Sequence, residues 1–274
     1  MNTSRLSALA LALILAGCAT NGSQSGASAD ASPIASVLGA AGAGGSSGTE
    51  SKLGAAVDVF KAATVSDEEL KAVSLQLRAY EERTEKVAPA KNKYAQRLAR
   101  LTKKHVNEDG MKLNFKVYLA NEVNADATAD GSIRVYAGLM DMMNDQELLG
   151  VIGHEIGHVK LQHSLAAMRT AYLASAGRKA ASAAGGVGRL ADSDLGALGE
   201  KLVNSQFSQS QETAADDYGL AFMKKHKYKV SAMESAFRKL AAQSGGKGGA
   251  LDEMLSSHPD PGGRADRMRD QAAK

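Results

Sequence analysis

The chain of 274 residues has one cysteine, Cys18, so no intrachain disulfide can form and packing must hold the fold together. It has no apolar run of 18 residues or more, the length that would mark a membrane-spanning helix. Neither sign of charge dominates. Lys and Arg number 33 against 30 Asp and Glu, a formal charge of +3 without a basic block, which argues against a nucleic-acid partner. No period of 20 to 50 residues recurs, so a repeat array is excluded. What is present, 44% hydrophobic and 23% charged residues, fits one globular domain with attached segments.

The attached segments come first. Arg5 supplies a positive start, and Leu6 to Ala16 is an apolar run of 11 residues, well short of the ~20 needed to cross a bilayer. Residues 1–17 therefore read as a signal peptide. Leu15-Ala16-Gly17-Cys18 resembles the lipobox of bacterial lipoproteins, which implies cleavage before Cys18 and its lipidation. Acyl chains contribute about 0.8 kcal/mol per buried methylene, so several on one cysteine make a lasting membrane anchor. Residues 18–51, rich in Ala, Gly and Ser, cannot bury enough surface to order themselves and read as a flexible tether. Ala19 stands where Asp would favour the inner membrane, which points to the outer membrane and a domain facing the periplasm.

Residues 52–110 carry helical spacing. Lys52 to Thr64 forms a first helix, and Ser66 with Glu69 makes a capping box for a second that runs to about Val87 and is closed by Pro89. Lys91 to His105 is a third, followed by a turn at Asn107 to Gly110. The period then changes. Leu113 to Leu119 and Ile133 to Ala137 alternate like strands, with a hairpin-type turn at Asp130-Gly131. Asn144 and Glu147 cap a helix whose apolar positions include Leu148, Leu149, Ile152, Ile156, Val159 and Leu161. Ala166 to Gly199 is too rich in small residues to form a core alone and reads as an exposed insertion, with a helical lid as the alternative. Helices at Gln209 to His226 and Val230 to Ser244, a Gly-rich break, and a short helix from Arg264 to Ala273 complete the chain. The expected fold class is α+β: mainly helical, with a small antiparallel sheet beside the Asn144-capped helix.

That helix carries His154-Glu155-Ile156-Gly157-His158. At ~100° per residue, positions four apart differ by about 40°, so both imidazoles leave one face and can grip one metal ion. Glu155 sits one step round, where it can reach a water without ligating the metal, the position of a general base. Two histidines leave a catalytic zinc one protein ligand short. Glu212 is the best candidate, with Asp216 four residues on placed to hydrogen-bond a ligating imidazole. His163 falls off the ligand face and reads as structural, whereas His105 and His226 lie among lysines and read as solvated.

HEIGHVKLQHS, the downstream ETAAD, the preceding NADATADGSIRVYAGLM and the later SHPDPGGR together resemble the metallopeptidase family of HtpX and the CAAX prenyl endopeptidases, nearest to its soluble, lipid-anchored envelope branch. The likeness spans Leu113 to Met268 and implies a zincin-like catalytic domain over residues 111–274, with 52–110 packed on it. It implies a gluzincin site: one Zn2+ per chain on His154, His158 and Glu212, Glu155 as base, and Asp216 behind the ligands. It further implies that His258 or Arg264 stabilises the oxyanion, and that the strand Ile133 to Ala137 pairs with the substrate backbone. Lacking a long apolar run, the chain departs from the membrane-embedded branches, and reaching Lys274 without helical repeats departs from the branch that docks on outer-membrane assembly machinery. The expected function is a zinc-dependent metalloendopeptidase that cuts internal peptide bonds of misfolded or damaged envelope proteins. The competing reading is an envelope lipoprotein that acts as a chaperone or assembly factor, with a structural or inactive metal site.

Overall fold

The computed structural model describes residues 65–176, 189–243 and 249–272. The signal segment, Cys18, the tether, the helix expected over 52–64, and residues 177–188 and 244–248 lie outside them.

The first described helix, α1 (Asp67–Thr84), starts as its sequence dictates. Ser66 accepts from Glu69 N while the Glu69 carboxylate accepts from Ser66 N, so two otherwise orphaned amides are satisfied. It stops at Thr84, three residues earlier than expected, because the chain is claimed by the sheet. Ala88 N donates to Val117 O, and Leu119 N donates to Lys86 O. Asn92 caps α2 (Lys93–Thr102), and a 3₁₀ turn at Glu108–Gly110 leads into the sheet.

The sheet has three strands, β1 (Asn114–Tyr118), β2 (Ala125–Ala127) and β3 (Ser132–Tyr136), in the order β1-β3-β2. Both expected strands are there, but they run parallel, with Asn114 opposite Ser132 and Tyr118 opposite Tyr136. The sheet is therefore mixed rather than antiparallel. The turn at Asp130-Gly131 joins β3 to β2, which pairs antiparallel with Ala125 opposite Val135. Gly131 has φ +88°, and a Cβ there would stand 2.4 Å from Lys112 O, so only glycine fits. Ala-Asp-Ala lacks the β-branched and aromatic residues that mark strands, which hides β2 in the sequence. Its presence leaves β3 paired on both edges, so β3 cannot accept a substrate strand.

After a short α3 (Ala137–Met142), Asn144 opens α4 (Asp145–Lys160) by accepting from Gln146 N and Glu147 N. Helices α5 (His163–Ala176), α6 (Asp192–Val203), α7 (Gln209–Lys225), α8 (Ser231–Gln243), α9 (Asp252–Ser257) and α10 (Pro261–Ala272) follow. Leu148 to His158 are all buried, so α4 is a core helix rather than a surface one. It lies against α7 and α8 and beside β2, and Leu148, Ile152, Val135, Phe222 and Met233 belong to one apolar core.

A second, smaller core joins α1, α5 and α6 through Leu70, Val73, Leu77, Leu165, Met168, Leu195 and Leu198. The expectation of an exposed insertion over 166–199 is corrected here. Its described residues build two helices whose few large side chains face inward, and α1 supplies the apolar partner that the segment lacks by itself. None of the described helices is long and apolar enough to cross a membrane.

Candidate metal and catalytic centre

Helices α4 and α7 approach so closely that their backbones touch. A Cβ on Gly157 would lie 3.0 Å from Ala215 O, and one on Gly219 would lie 3.1 Å from His154 N. This contact brings Glu212, at the start of α7, to the two histidines. His154 Nε2 and His158 Nε2 are 2.9 Å apart, and Glu212 Oε1 lies 3.2 Å from His158 Nε2. The C-terminal end of α9 adds His258, whose Nδ1 is 3.0 Å from Glu212 Oε1 and 3.3 Å from His154 Nε2. The four side chains are buried and each offers a donor atom within 4.8 Å of the others.

The donor chemistry fits a divalent cation. Several imidazole nitrogens and a carboxylate crowd one point away from water, where a cation satisfies lone pairs that otherwise oppose one another. Glu155 Oε1 is buried without a hydrogen-bond partner, and it stands 3.8 Å from His258 Nε2. Burial pushes the Glu155 carboxyl up to about 8, against the opposing pull of His258. Burial also lowers the pKa of His154 and His158, which keeps both neutral and able to ligate. Burial alone would raise Glu212, but hydrogen bonds from His158 and His258 reverse it and hold the carboxylate ionised.

Behind these groups lies an anchoring layer. Asp216 Oδ1 is 2.9 Å from His154 Nδ1 and accepts from Arg264 Nη2 at 2.6 Å, while Arg264 Nε donates to Asp216 Oδ2 at 2.9 Å. Arg264 Nη1 also lies 2.5 Å from Glu212 Oε2, and its guanidinium sits over the Phe237 ring, 4.2 Å from the centroid. Such an arginine fixes the donors in place, with its fork engaged on two carboxylates. Asp260, at φ +53°, accepts from Gly263 N and so starts the helix that presents Arg264.

The structure thus assembles His154, Glu155, His158, Glu212, Asp216, His258 and Arg264 in one place, although they come from α4, α7, the end of α9 and α10. Sequence reasoning passed over two neighbours. His163 Nδ1 lies 3.2 Å from His158 Nδ1, so a residue read as merely structural touches the outer nitrogen of a candidate ligand. The Phe207 ring stacks on His158 with centroids 4.0 Å apart. The spacing of one helix from another is invisible to periodicity, and no local signal marks Phe207.

A model of peptidase family M48 matches residues 89–272 of the chain. This chain belongs to peptidase family M48. The family accounts for the donor set, since its members are metallopeptidases, and the chain is a metalloendopeptidase dependent on a divalent metal. Metalloprotease LoiP of Escherichia coli (strain K12) is 43% identical over 221 residues, covering 80% of this chain and 86% of the relative. Metalloprotease YcaL of the same strain is 40% identical over 227 residues, covering 82% and 88%. More distantly, the Beta-barrel assembly-enhancing protease of Yersinia pestis is 28% identical over 183 residues, 61% of this chain and 36% of that protein. The M48 match takes in both α1-distal elements, α2 and the sheet, as well as the helices that carry the centre.

Proposed function

We propose that the chain is a zinc-dependent endopeptidase of the bacterial envelope, anchored through a lipidated Cys18 and acting on misfolded or damaged proteins there. The observation that carries the catalytic part is the convergence of His154, His158 and Glu212 beside a partnerless Glu155 oxygen. Zinc held by those three residues would supply Lewis acidity for a scissile carbonyl and make water a nucleophile near neutral pH. Glu155 takes a proton from the attacking water and passes it to the leaving amine, the task of a positioned general base. Asp216 holds His154 through Nδ1, and Arg264 holds Asp216 and Glu212, so the ligands stay oriented through turnover.

His258 stands among the donors, with Nε2 turned toward Glu155. From there it serves the oxyanion as a donor once substrate draws it off Glu212. Arg264 is less free to do so, because its fork is occupied. The substrate backbone runs along β2, the sheet edge that lies beside α4, replacing the role first expected of β3. Binding through backbone bonds favours extended, unfolded chains over particular sequences. A cavity of about 360 Å³ lined by Ala167, Thr170, Ala171, Lys201, Phe207 and Gln211 offers room for a substrate side chain near the centre.

The test is metal content together with casein hydrolysis, for wild type and Glu155→Gln. One zinc per catalytic centre in both proteins, with cutting only by the wild type, supports the reading. Zinc in both and cutting by neither favours the alternative of a chaperone or assembly factor with a structural metal.

A further inference from the structure

A second group of metal-competent side chains gathers around the C-terminal end of α7, the end away from Glu212. His105 follows α2, Glu108 lies in the 3₁₀ turn and His226 closes α7. Glu108 Oε2 is 2.9 Å from His105 Nδ1, and Glu108 Oε1 is 2.9 Å from His226 Nε2. One donor atom from each residue lies within 4.8 Å of the others. His105 and Glu108 are fully buried, whereas the His226 side chain is 19% exposed, which leaves a side from which water can complete a coordination shell.

We propose that His105, Glu108 and His226 form a second, structural site for a divalent cation of the zinc class. Two imidazoles and one carboxylate are a donor set that suits zinc. The outer nitrogen of His105 is already fixed: Nε2 lies 2.8 Å from the Tyr228 hydroxyl, which orients the ring with Nδ1 toward Glu108. The Phe222 ring, 4.7 Å from His105 by centroids, and the Tyr228 ring, 5.9 Å away, pack against the imidazole and against each other.

One positive charge is already present. Lys225 Nζ donates to Glu108 Oε1 at 2.6 Å, but it also donates to Asp109 Oδ1 at 2.6 Å, and its side chain is 53% exposed. It can yield Glu108 to an ion and keep Asp109. The candidate catalytic centre has the same arrangement of a basic side chain beside a donor carboxylate, with Arg264 2.5 Å from Glu212. The same turn is tied to both catalytic helices: Tyr218 donates to Asp109 Oδ2 at 2.7 Å, and Lys160 donates to Asp109 O at 3.1 Å. An ion on Glu108 would therefore clamp the turn against α4 and α7.

The experiment counts zinc bound to the full chain after equilibration with zinc alone and desalting. Wild type should hold two per chain, and His154→Ala/His158→Ala, which lacks the first centre, should still hold one. Adding His226→Asn to that double variant should remove it. In parallel, zinc should raise the Tm of the double variant by about 5 °C, the size expected of a ligand well above its Kd, and should leave the triple variant unmoved. The inference is overturned if the folded double variant holds no zinc and its Tm does not respond. Retention of zinc by the triple variant overturns it as well. Because the first centre is absent from both variants, neither outcome depends on proteolytic activity.

Discussion

Two buried histidine–carboxylate clusters in one molecule differ in how they are built. The catalytic one places two histidines on a single helix, four residues apart, and borrows Glu212 and His258 from elsewhere. The other takes two members, His105 and Glu108, from one turn three residues apart and the third, His226, from the end of α7. In the first, a nearby carboxylate, Glu155, has an oxygen with no partner. In the second, the Glu108 carboxylate is occupied by His105, His226 and Lys225. An unused buried oxygen beside metal donors has chemistry left to perform, whereas a saturated carboxylate holds structure together.

The largest expected effect breaks this contrast at Glu155. Glu155→Gln should lower casein hydrolysis by about 10²–10⁴-fold, the usual worth of a general base, with zinc in the first centre unchanged. Full activity in that variant would remove the distinction between the clusters. His258→Ala should cost about 10²–10³-fold in kcat if its role is at the oxyanion. A gain in activity would instead show that His258 blocks the centre as a fourth ligand. Asp216→Asn should weaken zinc binding by about 10–100-fold, as lost support of a ligating histidine does, measured by competition with a chelator.

A smaller effect concerns the cap that positions α4. Burial would raise the Glu147 pKa, but Lys239, Ser235 and the Asn144 amide bind its carboxylate and lower it. A lowered carboxylate stabilises the fold above the ordinary carboxylate range, and that contribution is lost as pH falls through the folded value. Glu147→Gln should therefore cost about 1–3 kcal/mol at pH 7, seen as a drop in Tm, and the gap to wild type should shrink below about pH 4. A gap that stays constant with pH would show that the cap works by shape alone.

What the sequence made legible was local. The capping boxes at Ser66 and Asn144, the paired histidines of α4 and the turn at Gly131 all act within a few residues, so their signals survive without the fold. What stayed hidden depends on distant partners. His105 and His226 sit beside Lys103, Lys104, Lys224, Lys225 and Lys227, which suggests solvent. Phe222 and Tyr228 nevertheless enclose them, and Glu108 gives their nitrogens a buried partner. Strand β2 is set by pairing with β3 rather than by its own propensity, and α5 and α6 gain a core only through α1. Glu212 stood out as a candidate third ligand and the resemblance gave it a role, but its approach to the histidines depends on the close contact of α4 with α7, which no local signal carries.

The contact of Gly157 with Ala215 sets a limit of another kind. The distance between the two helices that carry the donors is fixed by main chain against main chain, and the smallest change any substitution can make there is a whole carbon atom at 3.0 Å. The span between donors on α4 and α7 therefore cannot drift by small increments as the sequence diverges. Adaptation to new substrates is left to surfaces that can change gradually, such as those proposed above to meet the substrate, while the span across the centre stays at one setting.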